Sequence, residues 1–513
     1  MGSSLHLLLV GAFESFESSR LRFLAPQLGI ERLAAYIRKH GFSVQTTDPN
    51  IDGNTAFYQY IHERKPQVIG FSISYVTLLN DLSLIHYANE KSPHSLLIAG
   101  GQQATFEYKA LFKILPIDLI ILGEGEIPVL EIMKARENKQ DLFKINGTVH
   151  NKNNKITRVG NNEPLTSGQF RLVNLGIDFS KIDYRKYWLA TEKFYDKPNY
   201  AESRTIRLFT INYCPFSCTY CSSRTFLNFA KGSVDELCNP RGNVTKLVGL
   251  TAEEMIQLVS NALSAYPGTH RFYLQDDEHF LIKGRVEEFC SLILKKKKEL
   301  AFPDYLEFMC QSRVDDVNLN LLRLIKKAGY SLIAYGVESF SEKMLKSIKK
   351  TSNVTDIHNA LNWTIQAGLK PFANLILFLP EITKKDLLIT IDNALDYIKK
   401  GVEIATEPFV LPLPGSTLYY SEEYKQHKEV VQIAGTNEYI ERTHFVIPKE
   451  KDMAELAFAF FKTQQKHLDS LSLKYKFKHL PTRLRSLTTF HTILSLIKDD
   501  ARCMKTEKLL SQI

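Results

Sequence analysis

The sequence predicts an α/β protein, and three observations lead to this fold class. Apolar strands alternate with helical segments over residues 5–133, the same alternation resumes at about residue 205, and the chain beyond residue 420 is mostly helical in pattern. We therefore expect, in chain order, a doubly wound Rossmann-like domain over 1–135, a connector with hairpins over 136–202, an incomplete (β/α)6 barrel over 203–420, and a mostly helical C-terminal cap over 421–513.

The first domain is predicted from strands that are apolar throughout, as in a parallel sheet buried on both faces. A helix predicted over 27–40 ends at Gly41, a residue type that often ends helices. Ligands of such sheets bind at the carboxyl ends of the strands, which here carry serines and glycines. The predicted strands are 5–10, 42–46, 68–74, 95–101 and a fifth that begins at residue 117.

The connector and the barrel are predicted from turn and cap signals. Asn146-Gly147 and the Asn-rich segments 151–155 and 160–162 are typical of hairpin turns. Thr251 and Glu254 predict a capping box at the start of a helix. Barrels of this type work at the carboxyl ends of their strands. The six predicted strands are 205–211, 271–278, 307–314, 331–337, 370–380 and 404–412.

Composition limits the class of protein. The 513 residues are 44% hydrophobic and 24% charged, as in ordinary globular proteins, and no apolar run is long enough to cross a membrane. The first apolar run is short and has no basic lead-in, so we read it as a strand and expect a cytoplasmic protein. Residues 461–513 hold 11 Lys and Arg against 4 Asp and Glu. A solvated helical face explains that charge more simply than a nucleic-acid site, so nucleic acid is not expected as a partner.

The most informative motif is Cys214-x3-Cys218-x2-Cys221. In a reducing compartment, clustered cysteines indicate metal or redox chemistry. Three thiolates at this spacing can hold a 4Fe–4S cluster and leave one iron open for catalysis. The alternative is a structural zinc site, which needs a fourth ligand at similar spacing; the next cysteine is Cys238, and the chain has no second C-x2-C pair.

With Tyr220 before its third cysteine, this motif resembles the signature of the radical S-adenosylmethionine (SAM) family. The resemblance covers about 203–420 and includes Phe-Tyr-Leu-Gln-Asp-Asp at 272–277, Ser-Arg-Val-Asp at 312–315, Gly-Val-Glu-Ser at 336–339 and Pro-Leu-Pro-Gly-Ser at 412–416. It implies that an electron from the cluster cleaves SAM to a 5′-deoxyadenosyl radical. The SAM contacts that it implies are Tyr220, Gln275, Asp276, Asp277, Gln311, Arg313, Glu338 and Ile376.

These SAM contacts have different implied roles. Gln275, Asp276 and Asp277 stand where the family holds the SAM amino group. Gln311 and Arg313 would meet the ribose and carboxylate, Glu338 the ribose or a nearby polar group, and Ile376 would flank the adenine. A buried carboxylate at a strand end could instead be a structural partner of Arg313.

The N-terminal third resembles the cobalamin-binding domain that precedes many radical SAM cores. Four features match: Pro-Gln-Leu-Gly at 26–29, Gly-Phe-Ser at 70–72, Ala-Gly-Gly at 99–101 and Gly-Glu-Gly-Glu at 123–126. Classical domains of this type carry Asp-x-His-x-x-Gly after the first strand, whereas residues 11–18 contain no histidine. The alternative is a scaffold that only shapes the substrate cavity. The implied cobalamin contacts are Ser72, Ser74, Gly100, Gly101, Gly123 and Glu124.

Together the two resemblances imply a cobalamin-dependent radical SAM enzyme, a methyltransferase acting on an unactivated carbon of a small-molecule substrate. Its cofactors would be a 4Fe–4S cluster, SAM and cobalamin, and a reductant such as flavodoxin or ferredoxin would supply the electron. A cyclase, ring-contraction or rearrangement enzyme would use the same radical without net methyl transfer. A non-catalytic Fe–S or cobalamin sensor is the alternative from another class; the sequence does not name the substrate.

Overall fold

The computed structural model describes residues 5–12, 25–194, 200–433, 435–475 and 481–512. Its first sheet has seven strands in the order β2-β1-β3-β4-β5-β6-β7. The first five are parallel, and their order is that of a doubly wound fold. The strands are β1 (Leu7–Val10), β2 (Val44–Thr47), β3 (Val68–Ser72), β4 (Leu96–Gly100), β5 (Leu119–Ile121), β6 (Thr148–Lys152) and β7 (Lys155–Val159).

Helices cover both faces of this sheet, because alternate side chains of a buried strand point to opposite sides. Leu7 and Leu9 of β1 belong to one hydrophobic cluster, and Leu8 and Val10 belong to a second cluster on the other face. The prediction of a doubly wound domain is therefore confirmed. Its helices are α1 (Leu28–Lys39), α2 (Pro49–Gln59), α3 (Leu78–Lys91), α4 (Gln102–Ile114) and α5 (Glu126–Glu137).

The connector is less separate than the sequence suggests. Its hairpin, β6 and β7, pairs antiparallel with β5 and extends the first sheet. Three helices then lead to the second domain: α6 (Ser167–Leu175), α7 (Tyr184–Phe194) and α8 (Tyr200–Ser203).

The second sheet has six strands, all parallel and in sequence order, as predicted for an incomplete barrel. They are β8 (Thr205–Leu208), β9 (Arg271–Leu274), β10 (Glu307–Ser312), β11 (Tyr330–Glu338), β12 (Lys370–Phe378) and β13 (Glu403–Phe409). The helices between them are α9 (Ser223–Lys231), α10 (Ala252–Ala265), α11 (Arg285–Lys298), α12 (Leu319–Ala328), α13 (Glu342–Ser347), α14 (Val354–Gln366) and α15 (Lys384–Lys399). The predicted capping box is present, with the Glu254 amide donating to the Thr251 hydroxyl.

The C-terminal part is mostly helical, as predicted, but it begins with two strands that the sequence did not indicate. Residues 426–446 contain an antiparallel hairpin, β14 (Gln426–Gln432) and β15 (Tyr439–Val446). β15 is rich in β-branched and aromatic residues, which favour extended structure. Three helices follow, α16 (Lys451–Tyr475), α17 (Thr482–Leu496) and α18 (Asp500–Leu510). Among the described helices, none combines the length and the apolar composition needed to span a membrane.

Candidate active site

The three motif cysteines lie in the loop between β8 and α9, at the carboxyl end of the first barrel strand. Each is partly exposed. The Cys221 amide donates to the Cys218 carbonyl at 3.1 Å, and the Cys214 amide donates to the Ser223 hydroxyl at 3.0 Å. The Thr219 amide donates to the carbonyl of Ile348, which fixes the loop to the segment after α13.

The chemistry of the thiols fits a cluster better than a single metal ion. Burial raises the pKa of Cys214 to about 12 and that of Cys221 to about 11, and neighbouring thiols of the triplet add to both shifts. A metal is therefore needed to hold them as thiolates. Over the described ranges, no three His, Cys, Asp or Glu side chains converge closely enough for one ion. In a 4Fe–4S cluster held by three cysteines, three of the irons take one thiolate each, which suits thiols that are neighbours but do not meet at one point.

Glu338 and Lys350 form a buried ion pair beside this loop, with 2.9 Å between Oε1 and Nζ. Tyr220 donates its hydroxyl to the Glu338 carboxylate, and burial together with that carboxylate raises the pKa of Tyr220 well above its usual value. Burial opposes the charge on Lys350, but Glu338 and Cys218 outweigh it and raise the pKa of the ammonium. The end of β11 is thus linked electrostatically to the cysteine loop.

The backbone at the end of β11 is shaped for this pair. Glu338 has a φ of +64°, in the left-handed region that non-glycine residues rarely adopt, and the strand register shifts between Gly336 and Glu338. A Cβ on Gly336 would lie 2.7 Å from Glu338 Oε1 and 2.9 Å from Lys350 Nζ. Glycine at position 336 therefore leaves the space in which the carboxylate and the ammonium meet.

The acidic triplet after β9 divides into three environments. Asp276 is fully buried and accepts from the Thr210 amide at 2.6 Å, the Ile211 amide at 2.9 Å and the His279 ring at 3.0 Å. It thus fixes the chain just before the cysteine loop. Asp277 is exposed on the surface, and its carboxylate accepts from the Ser223 hydroxyl. Partial desolvation by the surrounding protein nevertheless raises the pKa of this carboxyl.

The third member, Glu278, is buried. Burial raises its pKa to about 8, and Asp316 adds to the shift. Its carboxylate accepts from the Phe280 amide at 3.0 Å and from the Arg313 amide. Glu278 therefore joins the ends of β9 and β10, a role that the sequence interpretation did not give it.

Arg313, just after β10, packs against the cysteine loop. Its guanidinium lies 3.8 Å from the ring centre of Phe216, between Cys214 and Cys218. It also donates to Asp315 at 2.5 Å and to the Thr351 hydroxyl. Burial opposes its charge, but the two carboxylates at 315 and 316 prevail and raise its pKa.

The first domain meets the cysteine loop through the start of α4. Gln102, next to Gly101, donates its side-chain amide to the hydroxyl of Ser222, which directly follows Cys221. Phe106, one turn further on, contacts the ring of Phe229 on α9, with 5.3 Å between centroids. The carboxyl edge of the first sheet therefore lies against the cysteine loop of the second.

Comparison with known proteins agrees with this arrangement. Residues 208–394 match the family model of the radical SAM superfamily, and residues 19–133 match that of the B12 binding domain. The chain therefore carries a radical SAM domain and a B12-binding domain. These families imply the predicted cofactors: a 4Fe–4S cluster, SAM and cobalamin.

The individual relatives of this chain are distant in sequence. It is 22% identical, over 61% of its length, to the anaerobic magnesium-protoporphyrin IX monomethyl ester cyclase of Synechocystis sp., and spans 55% of that protein. It is 23% identical to an uncharacterized methyltransferase of Pyrococcus horikoshii, covering 77% of this chain and 78% of the relative. The solved structure of the cobalamin-dependent SAM radical enzyme OxsB, with aqua-cobalamin and SAM bound, is similar in fold, with a TM-score of 0.64, 17% identity, and coverage of 95% of this chain and 72% of that one.

The radical SAM core places the other predicted SAM contacts as follows. Gln311 donates its amide to the Tyr273 hydroxyl, and Gln275 is half-buried at the end of β9. Ile376 is buried in β12. These residues, together with Tyr220, Asp277 and Glu338, occupy the carboxyl half of the barrel strands or the loops that follow them.

In the B12-binding domain, two of the predicted cobalamin contacts are glycines with different surroundings, Gly100 and Gly101. A Cβ on Gly100 would meet nothing closer than 3.9 Å, whereas Gly101 has a φ of +95° and stands so near Ile73 that a Cβ would lie 2.9 Å from its carbonyl. Ser72 is partly exposed at the end of β3. Ser74 is engaged within its own loop, its hydroxyl 2.7 Å from that of Thr77.

Gly123 and Glu124 contact other parts of the protein. Gly123 has a φ of +73°, and a Cβ there would lie 2.6 Å from Ala230 Cβ on α9. Glu124 accepts from the Leu165 amide at 2.9 Å and lies 3.7 Å from Arg32; burial and Glu126 raise its pKa to about 7. The Gly-Glu-Gly-Glu turn thus fastens the domain to the connector and the core. Residues 13–18 of the segment that lacks the histidine lie outside the described residues.

Sequence reasoning missed Lys350, Glu278 and Gln102. Lys350 directly follows another lysine, and such a pair usually lies on the protein surface. Glu278 directly follows two aspartates that match the family motif better. Gln102 had one usable signal, its position directly after Ala-Gly-Gly at the carboxyl edge of the sheet.

Proposed function

We propose that this protein is a cobalamin-dependent radical SAM methyltransferase that methylates an unactivated carbon of a small molecule. The observation that carries the proposal is the contact between Gln102 and Ser222, because it sets the carboxyl edge of the B12-binding domain beside the cysteine loop. A methyl carrier and a radical generator must share one cavity for such a reaction. When bound, the cluster and SAM supply the 5′-deoxyadenosyl radical, and cobalamin supplies the methyl group.

In this proposal, Cys214, Cys218 and Cys221 hold the cluster. Asp277, rather than Asp276, receives the SAM ammonium, because it is exposed beside the loop whereas Asp276 is enclosed by its hydrogen-bond donors. Asp276 acts by positioning the loop.

The remaining SAM contacts in the proposal come from β10, β11 and β12 and from the loops that follow β8, β9 and β10. Gln275 and Gln311 supply amides, Arg313 its guanidinium, and Ile376 an apolar surface. The pair of Tyr220 and Glu338 supplies a hydroxyl and a carboxylate whose geometry Lys350 fixes.

The B12-binding domain offers cobalamin a backbone that can be approached closely at Gly100 and Gly101, with Ser72 as a polar contact. Gln103 supports this placement, because the residue is only 5% exposed and its side-chain Oε1 has no hydrogen-bond partner among the described residues. A buried amide oxygen without a partner is costly, and a ligand donor would satisfy it. We assign Ser74, Gly123 and Glu124 to the walls of this site.

A cyclase or rearrangement reaction is the second candidate, and the similarity to the cyclase of Synechocystis sp. favours it. The two reactions differ in their products, because methyl transfer forms S-adenosylhomocysteine alongside 5′-deoxyadenosine, whereas the second candidate forms 5′-deoxyadenosine alone. We place either reaction in the cytoplasm, where thiols stay reduced, with flavodoxin or ferredoxin as the reductant.

The proposal is tested by comparing the parent protein with Cys218→Ala. Both are purified without oxygen, supplied with iron, sulfide and cobalamin, reduced with dithionite and incubated with SAM. We expect 5′-deoxyadenosine and S-adenosylhomocysteine from the parent and no 5′-deoxyadenosine from the variant. Cys238→Ala is the matched control and should keep the parent's products, because Cys238 is buried outside the triplet. SAM cleavage by Cys218→Ala at the parent's rate would contradict the assignment.

A further inference from the structure

One flank of the cysteine loop is covered by the B12-binding domain, and the other is bordered by an exposed basic segment. The covered flank is the Ser222 side, where Gln102 and Phe106 of α4 pack. On the other flank, the Thr219 amide donates to the Ile348 carbonyl, so the segment that directly follows α13 lies against the loop between the second and third cysteines.

This second flank carries three exposed lysines, which we call the lysine flank: Lys343, Lys346 and Lys349. Lys343 and Lys346 are three residues apart on α13 and share one side of the helix. The backbone turns at Lys349, which has a φ of +56°. As a result, the Lys350 side chain is buried against Glu338, whereas Lys349 is exposed.

Most acidic side chains near the lysine flank already have a cation or a backbone amide as a partner. Asp315 and Asp316 pair with Arg313, and Asp386 lies 3.8 Å from Lys343. Glu342 is exposed and accepts from the Val354 amide. Arg313 and Lys343 are thus paired with carboxylates, whereas Lys346 and Lys349 form no ion pair with any of the described residues, so the uncompensated positive charge beside the loop is theirs.

We propose that the lysine flank is the docking surface for an acidic one-electron donor of the flavodoxin type, an inference that rests on the proposed function. Reductive SAM cleavage consumes one electron per event, so a donor must lose one electron while the cluster gains one. Electron transfer falls steeply with distance, which requires the donor to bind beside the loop. The lysine flank is an exposed basic surface beside the loop, and opposite charge speeds and orients such an encounter.

The test compares two charge reversals in the full-length, cluster-loaded protein. Lys346→Glu with Lys349→Glu reverses the lysine flank. Lys295→Glu with Lys298→Glu reverses two exposed lysines at the end of α11, which leads to the amino end of β10 and thus to the opposite edge of the barrel. Thermal unfolding checks that both variants fold.

The first readout is the binding of oxidised bacterial flavodoxin at low and high salt, which requires no turnover. We expect the lysine-flank reversal to weaken binding about tenfold at low salt and to flatten its salt dependence. The second readout is the rate at which reduced flavodoxin bleaches the visible absorption of the cluster. This rate should fall in parallel, while reduction by dithionite stays at the parent's rate in both variants.

Parent-like flavodoxin binding by the lysine-flank variant would overturn the proposal, as would an equal loss in the α11 variant. Failure of the proposed function has a different signature, namely no SAM cleavage by the dithionite-reduced parent. The binding readout still judges the docking surface in that case, because it does not depend on SAM.

Discussion

The Lys350 ammonium lies 2.9 Å from the Glu338 carboxylate, and both side chains are more than nine-tenths buried. The carboxylate also receives the Tyr220 hydroxyl, one residue before Cys221. The pair thus connects the end of β11 to the cysteine loop, and its integrity governs how firmly that loop is held.

Lys350→Met should destabilise the protein strongly, because it leaves the Glu338 charge buried without a partner. We expect a loss of about 3–5 kcal/mol in the free energy of unfolding, measured by urea denaturation of the cluster-free protein. Adding Glu338→Gln should recover part of this loss, since the uncompensated charge is then removed. A loss well under about 1 kcal/mol in Lys350→Met would show that the pair is solvated.

Gly336→Ala should also be destabilising, because its Cβ would meet both Glu338 Oε1 and Lys350 Nζ at under 3 Å. We expect a loss of about 1–3 kcal/mol by the same denaturation measurement. Gly29→Ala is the matched control, since a Cβ there has no neighbour within 4 Å and the residue is in α1. The control should be neutral or gain up to about 1 kcal/mol, and an equal loss in both variants would contradict the crowding argument.

Gly123→Ala should weaken the contact between the B12-binding domain and α9. The alanine must adopt a φ of +73° and would place its Cβ 2.6 Å from that of Ala230. We expect a loss of about 2–4 kcal/mol, from left-handed strain together with overpacking. In an Ala230→Gly background, the part of this loss that comes from overpacking should vanish, because the Ala230 Cβ is gone. The part that comes from backbone strain at position 123 should remain. Equal losses in the two backgrounds, by thermal unfolding, would mean that position 123 does not act through α9.

Glu278 predicts a pH dependence of stability. Its folded pKa of about 8 exceeds the ordinary value for glutamate, so the folded protein binds the proton more tightly than the unfolded chain. Its contribution to stability is therefore present at acidic pH and decreases as the pH rises from about 4.5 to about 8. The parent should lose stability over this range, whereas Glu278→Gln should lack that component. Urea denaturation at several pH values checks this, and identical slopes in both proteins would contradict the burial of a titrating carboxyl.

The order of the strands and the position of the cysteine loop could be predicted from sequence, because continuous apolar strands and a three-cysteine motif are local signals. The β14–β15 hairpin could not, because β14 is mostly polar and the two strands gain their order from pairing with each other.

The site was predictable only in part for a related reason. Asp276 and Asp277 are adjacent in sequence and equally acidic, yet one is enclosed by backbone donors and the other is exposed. Such a difference arises from tertiary packing between β9 and the segment after β8. The same holds for Lys350, whose role depends on Glu338, twelve residues earlier.

The most direct test of the central claim is the cobalamin content of protein purified without oxygen from cells supplied with the cofactor. Visible absorption and extraction measure it, alongside iron and SAM cleavage. The account predicts stoichiometric cobalamin despite the absence of a histidine in residues 11–18. A chain with an intact cluster that cleaves SAM but holds no cobalamin would contradict it, leaving the first domain as a scaffold and favouring a cyclase or rearrangement reaction.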